Sequence, residues 1–148
     1  MPLTSLLIST KPAKARMSVR ELFEECLLKS VPALPYCDEH GRVTGRVTIK
    51  NVIQQSIITN HVAQFAHVLP PDMEALKDAE VKLRQVFNHD IEPYKQEPHA
   101  TVTSDTSLGK ALAVMEHHDT SYLFVVDDGK YLGTLTIGGI ARHEIEAD

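Results

Sequence analysis

Apolar and polar residues alternate in a pattern that divides the chain into two similar halves. In the first half, Ser18 and Glu21 form a capping box before apolar residues at helical spacing, which predicts a helix to about Lys29. Two short apolar runs, 33–37 and 42–47, are separated by the turn sequence DEHG and predict a β-hairpin. The buried face of the helix is expected to carry Val19, Leu22, Phe23, Cys26 and Leu27.

The middle of the chain is predicted to be mainly helical. Apolar residues from Ile49 to Phe65 recur at helical spacing, and that helix should end before Pro70. A separate amphipathic helix is expected over Asp72–Asp90, followed by a connector from Ile91 to Pro98. The stripe of this second helix comprises Met73, Leu76, Leu83, Val86 and Phe87.

The same pattern restarts near residue 100. A short strand at 101–103 precedes a helix capped by Thr106 or Ser107, and a hairpin over 123–135 turns at DDGK. A last helix over 137–145 is expected to use Ile140 and Ile145 as apolar anchors, and the preceding one Leu108, Ala111, Leu112 and Met115. Near the N-terminus, 6–8 can form a further short strand.

The two halves align as an internal repeat. Ser18 matches Ser107, and after one deletion in the second turn Gly45 matches Gly133 and Thr48 matches Thr136. Agreement of spacing, turn residues and glycines indicates a duplication.

This order, with the hairpins LPYCDEHGRVTG (34–45) and YLFVVDDGKYLG (122–133), resembles the cystathionine-β-synthase (CBS) domain. The resemblance implies an α+β fold in which two repeated β-α-β-β-α motifs pack through their sheets with pseudo-two-fold symmetry, plus an extra linker helix. It divides the chain into a first motif (1–62), a helical linker (63–98) and a second motif (99–148), together one module. In the family, two modules commonly pair into a dimer, so a homodimer is expected.

The segment GRVTIKN, residues 45–51, matches the signature of CBS modules that bind adenine nucleotides. A Thr48 hydroxyl beside a helix N-terminus can join backbone N–H groups in holding phosphate, and the amide of Asn51 can reach ribose hydroxyls. Lys50 adds a cation. The resemblance implies that the base is held from the opposite motif by main-chain groups of Thr120 and Ser121, with His99 and Ala100 at the strand entrance as further backbone donors.

A second cleft would combine Thr136 and Gly139 with Val31 and Pro32. This cleft is expected to bind more weakly, because Gly139 replaces the ribose-reading residue and Pro32 has no N–H to donate.

The same polar residues also suit a structural interpretation. Thr48 and Asn51 can simply cap the helix that follows, Lys50 can be a solvated surface residue, and Thr136 can be purely structural.

Composition argues against several other classes of function. The chain has 148 residues, a net charge of −5 and scattered basic residues, which makes nucleic acid and anionic membrane poor partners. No apolar run approaches about 18 residues, so a cytoplasmic protein is expected. Cys26 and Cys37 are interpreted as buried free thiols.

Metal and catalytic sites are not predicted. The pairs His61/His67 and His117/His118 lack a convincing third ligand, and no nucleophile elbow or phosphate loop occurs. Neither a metal nor a catalytic cofactor is expected.

Three hypotheses for function follow. The leading one is a regulatory module that binds an adenosine-containing nucleotide (AMP, ADP, ATP or S-adenosylmethionine) in the cleft with Asn51 and signals to a protein partner. The alternative is a ligand-free dimerisation or interaction scaffold that uses the Asp72–Asp90 helix. A weaker third is an enzyme, for which the sequence offers no nameable catalytic residue.

Overall fold

The structure, a computed structural model, describes residues 2–57, 79–99 and 101–147. Two short 3-10 helices, at Leu3–Ser5 and Glu92–Tyr94, accompany the main elements. In chain order the main elements are α1 (Val19–Lys29), β1 (Ala33–Cys37), β2 (Val43–Thr48), α2 (Ile49–Ile57), α3 (Ala79–Val86), α4 (Leu108–His117), β3 (Tyr122–Asp127), β4 (Lys130–Thr136) and α5 (Ile137–Ala147).

Helix α1 begins as its capping residues predict, but its buried face differs from the predicted one. The Ser18 hydroxyl accepts a hydrogen bond from the Glu21 N–H at 3.1 Å. Leu27 was expected in the core and is 73% exposed, because it lies about 100° around the helix from the buried Cys26. Glu25 takes an inward position instead, and its carboxylate accepts from the Lys11 N–H at 2.8 Å.

Both predicted hairpins are present as antiparallel pairs, β1 with β2 and β3 with β4. Each hairpin gains a parallel neighbour from its own half, through bridges from Ala13 to β1 and from Val102 to β3. On the other edge the partners are exchanged: Gln96 pairs with Arg46 of β2, and Ile8 pairs with Thr134 of β4. Ile8, which lies N-terminal to Ala13, therefore pairs with the second hairpin, and Gln96, which lies N-terminal to Val102, pairs with the first.

The repeated glycines allow these exchanged segments to approach closely. A Cβ atom on Gly45 would lie 2.8 Å from the Gln96 carbonyl oxygen, and one on Gly133 would lie 3.2 Å from the Ile8 carbonyl oxygen. A side chain at either position would force the crossing segment away.

The two halves contact each other through their sheets. Arg42 and Lys130, which occupy equivalent positions in the repeat, form an antiparallel bridge. Ala33 is completely buried and packs with Tyr122 and Phe124. The predicted α+β fold of two repeated motifs packed through their sheets is thereby confirmed.

Several predicted helix positions need correction or lie outside the described residues. Ile145, expected as an anchor, is 75% exposed near the end of α5, and Leu112 is also exposed, since Ala111 and Met115 take the buried side of α4. Helix α3 ends at Val86 rather than Asp90 because the chain then turns into the connector. Four predictions fall on residues that are not described. They are the helix start at Asp72, the stripe residues Met73 and Leu76, the helix beyond Ile57 with Val62 and Phe65, and the 62/63 domain boundary.

Candidate functional site

A cavity of about 620 Å³ lies between the two halves. This volume falls within the range of small-molecule pockets, roughly 300–1,000 Å³. Residues of both halves line it: Pro32, Arg46, Thr48, Ile49, Lys50, Asn51, Gln54, Gln96, His99, Asp119, Thr120, Ser121 and Tyr122.

Thr48 ends β2 and caps α2 at one wall of this cavity. Its hydroxyl oxygen accepts from the Asn51 N–H at 2.9 Å. Thr136 makes the equivalent bond in the other half, accepting from the Gly139 N–H at 2.8 Å. The capping role is therefore common to both threonines, whereas only Thr48 borders the larger cavity.

The side chain of Asn51 binds the connector. Its amide nitrogen donates to the Tyr94 carbonyl oxygen at 3.0 Å, and its side-chain oxygen accepts from Gln55 at 3.1 Å. Only 9% of Asn51 is exposed. Because an aspartate could not donate to the Tyr94 carbonyl oxygen, this contact gives a structural reason for an amide at this position.

The opposite wall carries the residues that the resemblance assigned to it. Thr120, Ser121 and His99 all line the cavity, and Ala100 lies outside the described residues. The Thr120 N–H is already bonded to the Met115 carbonyl oxygen at 3.0 Å, so it does not donate into the cavity.

Arg46 is a cavity residue that the sequence interpretation missed. Its guanidinium donates to the Tyr122 hydroxyl at 2.8 Å and to the Glu97 carbonyl oxygen at 3.1 Å, which joins β2 to the other half. The available signal was a cation two residues before Thr48, within the same short segment as Lys50 and Asn51.

The charges that line the cavity favour an anion. Among the described residues that line the cavity, Arg46 and Lys50 are accompanied by a single carboxylate, Asp119. Burial lowers the pKa of His99, and the positive charge of Arg46 and the neighbouring His118 lower it further. The shift favours the neutral form of His99, and Arg46 and Lys50 supply the positive charge of the wall.

The second predicted cleft is smaller. Thr136 and Gly139 line a cavity of about 240 Å³, below the usual range for ligand pockets. Leu6 and Ile8 also line it, and the Ile8 side chain lies 3.6 Å from where a Gly139 Cβ would be.

The two residues expected on the other side of this second cleft lie elsewhere. Val31 is buried in the first-half core rather than lining the cavity. Pro32 lines the larger cavity, because its carbonyl oxygen accepts from the Ile49 N–H at the start of α2, at 3.2 Å.

The described part of the chain contains free cysteines but no grouped metal ligands. Among residues 2–57, 79–99 and 101–147, no three His, Cys, Asp or Glu side chains are grouped to hold a metal; His61 and His67 fall outside these ranges. Within the same residues, no helix has the length and apolar character needed to cross a membrane. Cys26 and Cys37 are free and buried, and burial raises the pKa of Cys26 to about 12, which keeps it as an unreactive thiol.

A family model and a curated relative both match this chain. Residues 90–146 match the family model of the CBS domain. The uncharacterized protein MJ0450 of Methanocaldococcus jannaschii is 27% identical over 135 residues, which is 88% of this chain and 60% of that protein. The chain thus spans only about 60% of the length of this curated relative.

Two solved structures resemble the whole described fold. One is the CBS domain of a CBS-domain-containing membrane protein from Sphaerobacter thermophilus, with a TM-score of 0.67 and 17% identity over 96% of this chain and 86% of that one. The other is the CBS domain pair of protein MJ0100 in complex with 5′-methylthioadenosine and S-adenosyl-L-methionine, with a TM-score of 0.63 and 18% identity over 100% and 98% of the two chains. The chain described here therefore contains a CBS domain at residues 90–146 and has, as a whole, the fold of a CBS domain pair.

Proposed function

We propose that this chain is a regulatory module that binds a phosphorylated adenosine ligand, such as AMP, ADP or ATP, in the cavity beside Asn51 and signals its occupancy to a partner. The observation that carries the proposal is the 620 Å³ cavity with walls from both halves and two cations, Arg46 and Lys50. The complex of the MJ0100 domain pair with two adenosine compounds supports the adenosine part. No reaction is proposed.

The proposed orientation follows from the chemistry of the two walls. The phosphate lies near Lys50 and Arg46, at the N-terminus of α2, where cations and the helix dipole favour an anion. The adenosine part lies against Ser121 and Tyr122. The Asn51 oxygen accepts one bond from Gln55 and keeps a second lone pair, which can accept from a ribose hydroxyl.

Two features would transmit occupancy. A ligand that contacts both walls favours one relative arrangement of the two halves, which is a shift in population. The connector also contacts the site. Asn51 donates to the Tyr94 carbonyl oxygen, and the backbones of Gln96 and Arg46 are hydrogen-bonded to each other. A partner that contacts the connector could therefore detect the ligand.

Thermal melting of the protein with a panel of adenosine compounds tests the proposal. A ligand at about 100 times its dissociation constant should stabilise the fold by roughly 2.7 kcal/mol. We expect AMP, ADP or ATP to raise the melting temperature, and guanosine monophosphate at equal concentration serves as the control for the base. The proposal fails if no adenosine compound shifts the transition at millimolar concentration. S-adenosylmethionine belongs in the panel because its sulfonium is cationic and should suit this cavity less well.

We also propose that two copies pair in solution. The adjacent residues Leu27 and Leu28 are 73% and 76% exposed at the end of α1. A second copy that packs against them would remove this apolar surface from water. Leu27→Lys with Leu28→Lys should reduce the mass measured by light scattering from that of a dimer to that of a monomer. An unchanged mass would remove this surface from the proposal.

The scaffold alternative predicts no response to any ligand. Its proposed contact surface was the helix around Leu83 and Phe87, but both side chains pack against the core of the first half. These two side chains are thus engaged within their own chain.

A further inference from the structure

We propose that the loop of residues 11–17 is a docking surface for an acidic peptide segment of a partner protein. Three cations, Lys11, Lys14 and Arg16, occur within six residues of a chain whose net charge is −5. All three are exposed. A local basic surface on an acidic protein attracts acidic groups selectively.

The backbone of this loop is held in place at several points. Ala13 is completely buried; its N–H donates to the Pro35 carbonyl oxygen at 2.8 Å, and its own carbonyl oxygen accepts from Cys37 at 2.9 Å. The Lys11 N–H is bonded to Glu25, and the Met17 carbonyl oxygen accepts from the Ile91 N–H at 3.0 Å. The loop thus presents its cations from a fixed backbone, which lowers the entropy cost of binding.

The surface forms a shallow cavity whose cations are available. It encloses about 300 Å³ and is lined by the three cations together with Pro12, Ala15, Met17 and Glu21. None of the three cations forms a salt bridge with another residue in the described part of the chain. Arg16 has a φ of 73°, an unusual conformation for a residue other than glycine.

The character of the cavity favours a peptide over other anions. Pro12 and Met17 are half-buried and offer apolar contact to a side chain. Among the described residues, the lining has no aromatic side chain for a base to stack on, and the net negative charge of the chain opposes nucleic acid.

The loop and the ligand cavity contact the same connector. Ile91 binds Met17 of the loop, and three residues further on Tyr94 binds Asn51 of the cavity. This connection gives the partner of the proposed function a place to bind, and only this coupling rests on that function. Binding of the acidic segment itself does not depend on any nucleotide.

Fluorescence anisotropy with a labelled polyglutamate peptide tests the docking surface in the intact chain. We expect saturable binding that weakens as sodium chloride is added, and no binding of a glycine–serine peptide of equal length. The variant Lys11→Ala/Lys14→Ala/Arg16→Ala should weaken polyglutamate binding at least about tenfold, as the sum of three exposed ion pairs. The matched control, Lys29→Ala/Lys82→Ala/Lys110→Ala, removes three exposed cations from other surfaces and should bind within about twofold of the unmodified chain.

Each outcome decides the matter. Equal weakening by both triple variants means that the peptide senses only overall charge, and this overturns the proposal. Displacement of the peptide by inorganic phosphate, but not by unlabelled polyglutamate of other lengths, would indicate a phosphate site instead and also overturns it. If the loop variant keeps its melting-temperature shift with AMP but loses the peptide, docking holds independently of the nucleotide; if AMP never shifts the transition, the proposed function fails while docking stands.

Discussion

The side-chain amide of Asn51 donates to the carbonyl oxygen of Tyr94, which is 43 residues away in the chain, at 3.0 Å. This bond joins the first turn of α2 to the connector that runs between the two halves. Tyr94 is buried, and its hydroxyl is also bonded to Ser56, so the connector is fixed on α2 at two points. Asn51 thus holds the wall of the cavity as well as bordering it.

Replacing Asn51 with aspartate tests this structural role. Asn51→Asp places a carboxylate against the Tyr94 carbonyl oxygen and removes the donor. We expect the free energy of unfolding to fall by about 1–3 kcal/mol, the cost of an unsatisfied buried group. Urea denaturation measures this loss.

The control for this change is Gln54→Glu. Gln54 lines the same cavity but is exposed, so the same exchange of amide for acid should leave stability within about 0.5 kcal/mol. Equal stability of Asn51→Asp and the unmodified chain would contradict the bond to Tyr94.

Replacing Arg46 with methionine tests the preference for phosphate. The guanidinium is the larger cation of the cavity wall, and a charge-assisted bond to a phosphate is worth about 1.5–3 kcal/mol. Arg46→Met should therefore weaken AMP binding roughly 10- to 100-fold and adenosine binding far less. Isothermal titration with both ligands measures the difference.

Two controls separate charge from structure at this position. Arg46→Lys keeps the charge and should retain most of the preference for AMP. Arg142→Met removes a cation from the smaller cavity and should change neither affinity. If AMP and adenosine weaken equally in Arg46→Met, the residue acts only through its bond to Tyr122.

Local features of the fold could be predicted from the sequence. The Ser18 and Ser107 caps accept from the third residue of each helix at 3.1 and 3.2 Å, and the two hairpins form within one or two residues of the expected bounds. These features depend on interactions between residues close in sequence, which composition and spacing express directly.

Nonlocal contacts could not be predicted in the same way. The pairing of Gln96 with Arg46 and the bond from Asn51 to Tyr94 join residues that are about 50 and 43 apart, and nothing in their local sequence specifies the partner. Leu27 and Ile145 lie at helical spacing from other apolar residues, but both are exposed, because burial depends on which part of each helix the rest of the fold covers. The predicted nucleotide-binding residues stay predictions until a ligand is tested.

The pKa of His99 predicts how stability depends on pH. Burial first, and then Arg46 and His118, lower this pKa below its ordinary value of 6.5. The unfolded chain therefore binds this proton at a higher pH than the folded chain does, so acidification through about pH 6.5 favours unfolding. We expect the free energy of unfolding to decrease between pH 7.5 and 5.5, and His99→Gln should reduce that decrease.

Urea denaturation at several pH values measures this effect, with His89→Gln, a substitution of an exposed histidine after α3, as the control. The carboxyl group of Asp127 affects stability in a different, more acidic pH range. Bonds from Ser104 lower the pKa of this carboxyl group below its ordinary value of 3.8, so its contribution is kept above that pH and lost only below it. A pH dependence of the His99→Gln variant identical to that of the unmodified chain would exclude His99 as its source.

Substitutions in α3 and the turn that follows distinguish a core element from a contact surface. The Phe87 ring meets the Phe23 ring edge-on with centroids 5.7 Å apart, and the Arg20 guanidinium lies 5.0 Å from the Phe87 ring centre. Leu83→Lys with Phe87→Lys would place two charges against the first-half core, and we expect a loss of several kcal/mol that unfolds much of the protein at 25 °C. Val81→Lys on the same helix is the control: Val81 is 51% exposed, so the fold should persist. Circular dichroism and light scattering together decide between the two roles, because a contact surface would give folded monomers with the double substitution, whereas a core element gives unfolded chains.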